Sequence, residues 1–387
     1  MRAFVCALVA AMCLAAHPAL AQADRTAAAF WKAVQATCNA TAAKPAGELG
    51  RRIAQTAIKE FNTFGGHQID SNGRLFRFGL TEAEHEEDDS GNREPKLGNL
   101  GWWQVMKYWR SLFGDDAPSK LEVRGYRDAS TSTQDEHVAA LLRTSAARLL
   151  RAAEAETDPA EREALREAAL RAAVVDTSWS AAFVSYVVRE SGVTADAFRF
   201  SNAHRAYIYD AFATSAAELA KTADDHIYRA CPLSTKPRPG DMLCQQREPS
   251  LADVSDDAVR ERIRGELAGS ADARSIRRTH CEVVAHVDAG ARKMYTIGGN
   301  VNQAVSARKL NLRPRDLKFS AVQKGHCGGA GHWTLPAAAA GTQPAPGHAA
   351  KCSLNDKKWF VLLQFEVSRD TTRAAPGQGF CHDSARA

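Results

Sequence analysis

The stretch Asp176-Thr177-Ser178-Trp179-Ser180-Ala181-Ala182-Phe183-Val184-Ser185-Tyr186-Val187-Val188-Arg189-Glu190-Ser191-Gly192 decides how this chain is read. Small polar residues precede an apolar run that stops at a glycine. Asp176, Thr177 and Ser178 are N-cap types, and Gly192 is a C-terminal stop. Trp179, Phe183 and Val187 recur at helical spacing and mark a core face. Ser180 then falls in the first helical turn, where unbonded amides gather and the dipole favours negative charge. A nucleophile gains from that position, so Ser180 is the first candidate site residue.

Outward from this helix the chain reads as several regions. Residues 1–23 have the form of a Sec-type signal peptide: Arg2, an apolar run from Phe4 to Leu14, and a cleavage site at Ala21-Gln22-Ala23. The apolar run is too short to span a bilayer, and no transmembrane segment follows it. Export to the periplasm or beyond is expected. Of nine cysteines, Cys6 and Cys13 lie in the leader. Cys38, Cys231, Cys244, Cys281, Cys327, Cys352 and Cys381 remain for an oxidising compartment. Proximity alone pairs Cys231 with Cys244 and Cys327 with Cys352, leaving Cys281 buried and unpaired in a strand-like run. The formal charge of +5 is spread along 387 residues and does not call for nucleic acid. No cofactor is implied, and the oligomeric state is left open.

Residues 24–135 read as a mostly helical region packing on the core. It holds helices around Phe30-Trp31 and from Arg51 to Phe61, an irregular hairpin from Gly66 to Phe78, and the aromatic helix Gly101 to Phe113. The acidic run His85 to Asn92 lacks calcium-loop spacing and reads as a solvated loop. Residues 136–175 read as a helical hairpin restarted by Asp158-Pro159. Residues 176–335 form the core unit. Within it, Ser201 or Asn202 caps a helix carrying His204, Tyr207 and Ile208 on one side. Pro239-Gly240-Asp241 feeds a strand, 249–279 is a charged excursion with one short helix, and His280 to Val287 pairs with Met294 to Val301 as a β-hairpin. Residues 336–350 form a loose loop, and 351–387 a last strand and tail.

The order of these pieces resembles the CHAP amidases and NlpC-type cell-wall peptidases. The matching phrases are Trp179-Ser180-Ala181-Ala182-Phe183-Val184, Pro239-Gly240-Asp241, His280 to Val284, and Gly298-Gly299-Asn300. They span residues 175–315. More narrowly, Trp-Ser-Ala-Ala-Phe-Val-Ser, Ala-His-x-x-Tyr-Ile, His-Cys-Glu-Val-Val and Ile-Gly-Gly-Asn-Val resemble the bacterial domain of unknown function 2272. The resemblance implies an α+β, papain-like fold, a helix packed on an antiparallel sheet with an added N-terminal helical region. It also implies an exported hydrolase of peptidoglycan amide bonds, a peptidase or amidase, with Ser180 as nucleophile, His280 as base and Asn300 orienting it.

Two departures weigh against that activity. Serine stands where the superfamily has cysteine, and a hydroxyl stays protonated near neutral pH, so its proton must leave during attack. Gly298 stands where an acidic residue precedes the asparagine, removing the charge that steadies an imidazolium. Glu282, two positions beyond His280 on the same strand face, and His204 from the neighbouring helix are the candidates to repair the deficit. Each has a bland alternative, a wet strand face for Glu282 and packing for His204. Trp179 and Tyr207 are expected beside them at the cleft. A zinc site from His204, His280, Glu282 and His286 matches no standard spacing, and no metal is expected. The competing reading is a silent cell-wall or protein binding module that kept the fold.

Overall fold

The computed structural model describes residues 26–83, 100–128, 139–222, 225–269, 276–321, 323 and 354–365. The leader, the acidic run His85 to Asn92, the 336–350 loop, the tail beyond 365, and Cys327, Cys352 and Cys381 lie outside the described residues.

Eight α-helices and a large mixed sheet make a mixed α/β architecture among the described residues. The helices are α1 Ala27–Ala42, α2 Glu48–Thr63, α3 Gly101–Phe113, α4 Ala146–Ala153, α5 Pro159–Asp176, α6 Ser180–Glu190, α7 His204–Ala220 and α8 Asp256–Leu267. The strands are β1 His67–Ile69, β2 Leu75–Arg77, β3 Glu122–Asp128, β4 Ala139–Ser145, β5 Tyr228–Cys231, β6 Met242–Gln246, β7 Thr279–Asp288, β8 Lys293–Val301, β9 Ala304–Asn311 and β10 Trp359–Phe365. The sheet runs β2-β1-β9-β8-β7-β6-β10-β5, with β3 and β4 forming a separate pair. It is antiparallel except where β1 lies parallel to β9, so the wholly antiparallel sheet expected from sequence gains one parallel joint.

Alternation along the central strands builds two cores. Val283, Ile297 and Ala307 join Phe61, Trp109 and Phe183 on one side; Val284, Met294 and Leu310 join Phe30, Val34 and Leu243 on the other. Helix α6 packs against α2, α3, β7 and β8. Helix α1 shares the second core and is tied to β5 by the Cys38–Cys231 disulfide.

Three local expectations are corrected. The hairpin expected over 136–175 is helical only from Ala146, because Ala139–Ser145 pairs with β3. The pairing of Cys231 with Cys244 does not occur. Cys244 and Cys281 face each other across β6 and β7 with their Cα atoms 4.1 Å apart, so Cys281 is buried but bonded. The polar residues before α6 are not its caps. Thr177 exchanges bonds with Glu122, Asp176 accepts from the Arg124 amide at 2.7 Å, and Trp179 occupies the cap position with no side-chain bond. Asp176 and Thr177 direct their oxygens to β3, which holds the approach to the helix. Among the described residues no helix is long and apolar enough to cross a membrane.

Candidate functional site

Three elements bring the site together: the start of α6, the start of α7, and the first residues of β7. Trp179, Phe183 and Val187 are fully buried, as their spacing requires. The Trp179 ring stacks on Phe64 and its Nε1–H donates to the carboxylate of Glu82. Burial raises the Glu82 pKa to about 7 against that bond. Ser180 is therefore presented by an anchored turn, and it is itself only 8 % exposed.

Ser180 Oγ lies 2.7 Å from His204 Nε2. His204 opens α7 after Ala203, which supplies no cap; Ser201 binds Ser185 and the Ala203 amide instead. On the far side of the ring, Nδ1 accepts the Cys281 amide at 3.2 Å and contacts the Tyr207 hydroxyl. A backbone N–H can only donate. Nδ1 is thus the acceptor, and the neutral imidazole carries its proton on Nε2, directed at Ser180. Burial, then the neighbouring His280 and Arg247, hold the His204 pKa well below the usual histidine range and keep the ring neutral. His204 is a hydrogen-bond donor to Ser180, and its base nitrogen is already taken.

His280 packs edge-on against His204, ring centroids 4.9 Å apart. It is fully buried, and neither ring nitrogen has a hydrogen-bond partner among the described residues. Its Nε2 lies 3.4 Å from Glu282 Oε1. Burial lowers its pKa to about 4 in spite of Glu282, so it too is neutral at pH 7. Glu282 is the fixed charge. Burial pushes its carboxyl up, but Arg308 first, and then His280 and Thr296, outweigh that and set it at about 2. Thr296 Oγ1 donates to Oε2 at 2.6 Å and Arg308 Nε to Oε1 at 2.7 Å.

The Gly298-Gly299 pair explains how these parts fit. A Cβ at 298 would lie 2.7 Å from Glu282 Cγ, and one at 299 would lie 2.5 Å from Phe183 Cβ. Gly298 leaves room for the carboxylate, and Gly299 for the helix carrying Ser180. Asn300, half-buried at φ 50°, makes no hydrogen bond to His280.

Ser180, His204, His280, Glu282 and Tyr207 thus stand together, with Trp179 beneath them. Asp241 of the Pro-Gly-Asp turn does a different job. Buried, it accepts from the amides of Arg238 and Phe365 at 2.8 Å each, closing its own turn and pinning the end of β10. Sequence reading missed Thr296, Arg308 and Glu82. Arg308 and Glu82 had no signal in the sequence: Arg308 stands beside Lys309 in a strand of mixed polarity, and only the fold buries it. Among the described residues no cluster of His, Cys, Asp and Glu could hold a metal ion.

The chain belongs to the family described as an uncharacterized protein conserved in bacteria (DUF2272), whose profile matches residues 97–365, well over half of its length. No curated protein and no solved structure matches it.

Proposed function

We propose that this protein is an exported hydrolase of papain-like (CHAP/NlpC-like) type, acting on amide bonds of peptidoglycan as a peptidase or amidase. The observation that carries the reading is His280: a fully buried imidazole with neither nitrogen hydrogen-bonded, beside an ionised carboxylate and one ring away from a helix-terminal serine. A buried polar group without a partner costs about 1–3 kcal/mol, and such groups call for a functional explanation.

In this reading Ser180 Oγ attacks the amide carbonyl while His280 takes the hydroxyl proton. First-turn amides of α6 and the Nε2–H of His204 face the developing oxyanion. Collapse of the tetrahedral adduct breaks the C–N bond, His280 returns the proton to the leaving amine, and water then hydrolyses the Ser180 ester. The Cys38–Cys231 and Cys244–Cys281 disulfides suit an oxidising compartment, where this substrate lies.

Purified protein incubated with peptidoglycan should release new amino groups. A serine-reactive phosphonate should label Ser180 in the wild type and fail to do so in His280→Ala. No release, together with identical behaviour of Ser180→Ala, would sink the proposal. A second reading, a silent binding module, draws support from His204: the imidazole nearest Ser180 is a donor rather than a base, and the serine is little exposed. It predicts that sacculi retain the wild type and Ser180→Ala equally, with no turnover by either.

A further inference from the structure

We infer that Glu282 is the positioning carboxylate of His280, holding the ring proton on Nε2 and leaving Nδ1 as the basic nitrogen of the site. This rests on the reading of His280 as the base. The two residues are i and i+2 on one strand, both fully buried, with Glu282 Oε1 3.4 Å from His280 Nε2. They share a strand face, so no loop or hinge separates them. The carboxylate is immobilised from the next two strands, by Thr296 of β8 on one oxygen and Arg308 of β9 on the other. Arg308 is itself held by the carbonyl of Leu354.

An ionised carboxylate only accepts hydrogen bonds. Placing the imidazole proton on Nδ1 would turn the bare lone pair of Nε2 towards a carboxylate oxygen and strand an N–H where the described residues offer no acceptor. Placing it on Nε2 turns a donor towards the carboxylate and leaves Nδ1 bare. The 3.4 Å separation is longer than a formed N–H···O bond, and contacts of this kind tighten when substrate binds. The charged groups felt by His280 are Arg247, Glu282 and Arg308, and of these only Glu282 attracts a donor.

Gly298 gives an independent sign of the same design. Here a Cβ at that position would sit 2.7 Å from Glu282 Cγ and 3.2 Å from its Cδ. The space a side chain on β8 would fill is filled from β7. The charge that looked missing in the sequence is supplied by the strand of the base itself.

The test is the nitrogen NMR spectrum of the full mature chain labelled at histidine, with the His280 signals assigned by His280→Gln. The wild type should show a protonated Nε2 and a bare Nδ1. Glu282→Leu combined with Arg308→Met removes both members of the ion pair, so that neither charge is left buried alone. It should shift His280 to a mixture of tautomers. Gly298→Ala, which crowds the carboxylate without deleting it, should do the same and serves if the double variant does not fold. Where substrate turns over, both variants should lose kcat by on the order of 10²-fold or more with KM little changed. A wild-type proton on Nδ1 would overturn the inference, as would an unaltered Nε2–H tautomer in a folded variant. The spectrum needs no turnover, so a protein that hydrolyses nothing refutes the proposed activity without deciding the role of Glu282.

Discussion

Gly299→Ala is the smallest change that separates the two halves of the site. The added Cβ would stand 2.5 Å and 2.6 Å from Phe183 Cβ and Cγ, and 2.8 Å from Trp179 Cζ3. Carbon atoms rest about 3.5–4.0 Å apart, so strand and helix must part by about 1 Å. Neither ring can turn aside cheaply. Phe183 and Trp179 are both fully buried, and Trp179 lies between Phe64 and Tyr108 with ring centroids 5.9 Å and 5.8 Å away. Overpacking of this kind costs about 1–3 kcal/mol, and two rigid rings place this case at the upper end.

The retreat of α6 carries Ser180 with it, and a misplacement of about 1 Å at a reacting group is worth on the order of 10²-fold in rate. Urea denaturation should therefore show a loss of 2–3 kcal/mol, a range taken from those overpacking costs. Phosphonate labelling of Ser180 should slow by about two orders of magnitude while His280 chemistry, read by its tautomer, stays unchanged. Stability within about 0.5 kcal/mol of wild type, the scatter of an uneventful surface substitution, would refute the claim that α6 is seated on this glycine.

Three further perturbations probe other parts of the fold. Replacing Cys38 and Cys231 by serine opens a loop of 193 residues; chain entropy sets an upper bound of about 5 kcal/mol, so an unfolding free energy lower by about 2–5 kcal/mol in urea denaturation is expected, and no change would mean that the link restrains nothing. Gly240→Ala places a Cβ 2.5 Å from the Gly50 backbone at φ +91°, and should cost more than about 3 kcal/mol or abolish folding in an expression and circular-dichroism assay. His67, buried with its pKa lowered to about 4, stays neutral in the fold while the unfolded chain takes up a proton below about pH 6.5, so its contribution is lost as pH falls from there towards 4; His67→Gln should remove about 1.4 kcal/mol per pH unit of that slope, and an unchanged slope would refute the assignment.

The whole-protein slope is a poorer probe than that difference. Asp241, raised to about 6 by burial against the pull of Arg238, and Glu82, raised to about 7, take up protons in the fold over the same range. They oppose His67 and His280, so only the variant comparison isolates one group.

What the sequence revealed and concealed divides along physical lines. The core face of α6 was legible because Trp179, Phe183 and Val187 report burial by period alone. The Asp158-Pro159 start of α5 was legible because proline and a capping aspartate act locally, and Asp158 does accept from Ala160 and Glu161. The polar residues ahead of α6 misled because a side chain that suits a cap also suits a neighbouring strand, and β3 is 55 residues away in the chain from Thr177. Disulfide pairing misled for the same reason. Cys38 meets Cys231 across 193 residues, a distance over which proximity in sequence carries no information. The residues Ser180, His204, His280 and Glu282 could be named beforehand as chemical types. Which imidazole touches the serine could not, because that depends on where a single backbone amide points.

That amide shows why the site forms where it does. Pairing of β7 with β8 runs as far as Val283 opposite Ile297, and β8 is irregular against β9 between Gly298 and Val301. Beyond that point the strands part, and the Cys281 N–H is free of the ladder and bonds His204. On the other edge of β7 the ladder continues, with Cys281 opposite Cys244 and His280 opposite Gln245, and the disulfide locks that register. One edge of the strand is therefore fixed while the other is open to a helix terminus. Gly298 and Gly299 strip the partner strand of side chains over this gap, so a carboxylate can approach from one face and α6 from the other. A regular ladder through residues 279–283 would have consumed the Cys281 amide and left His204 free to accept the Ser180 proton. With the ladder broken, His204 is committed as a donor to Ser180, which is why the proposed mechanism assigns the base to His280.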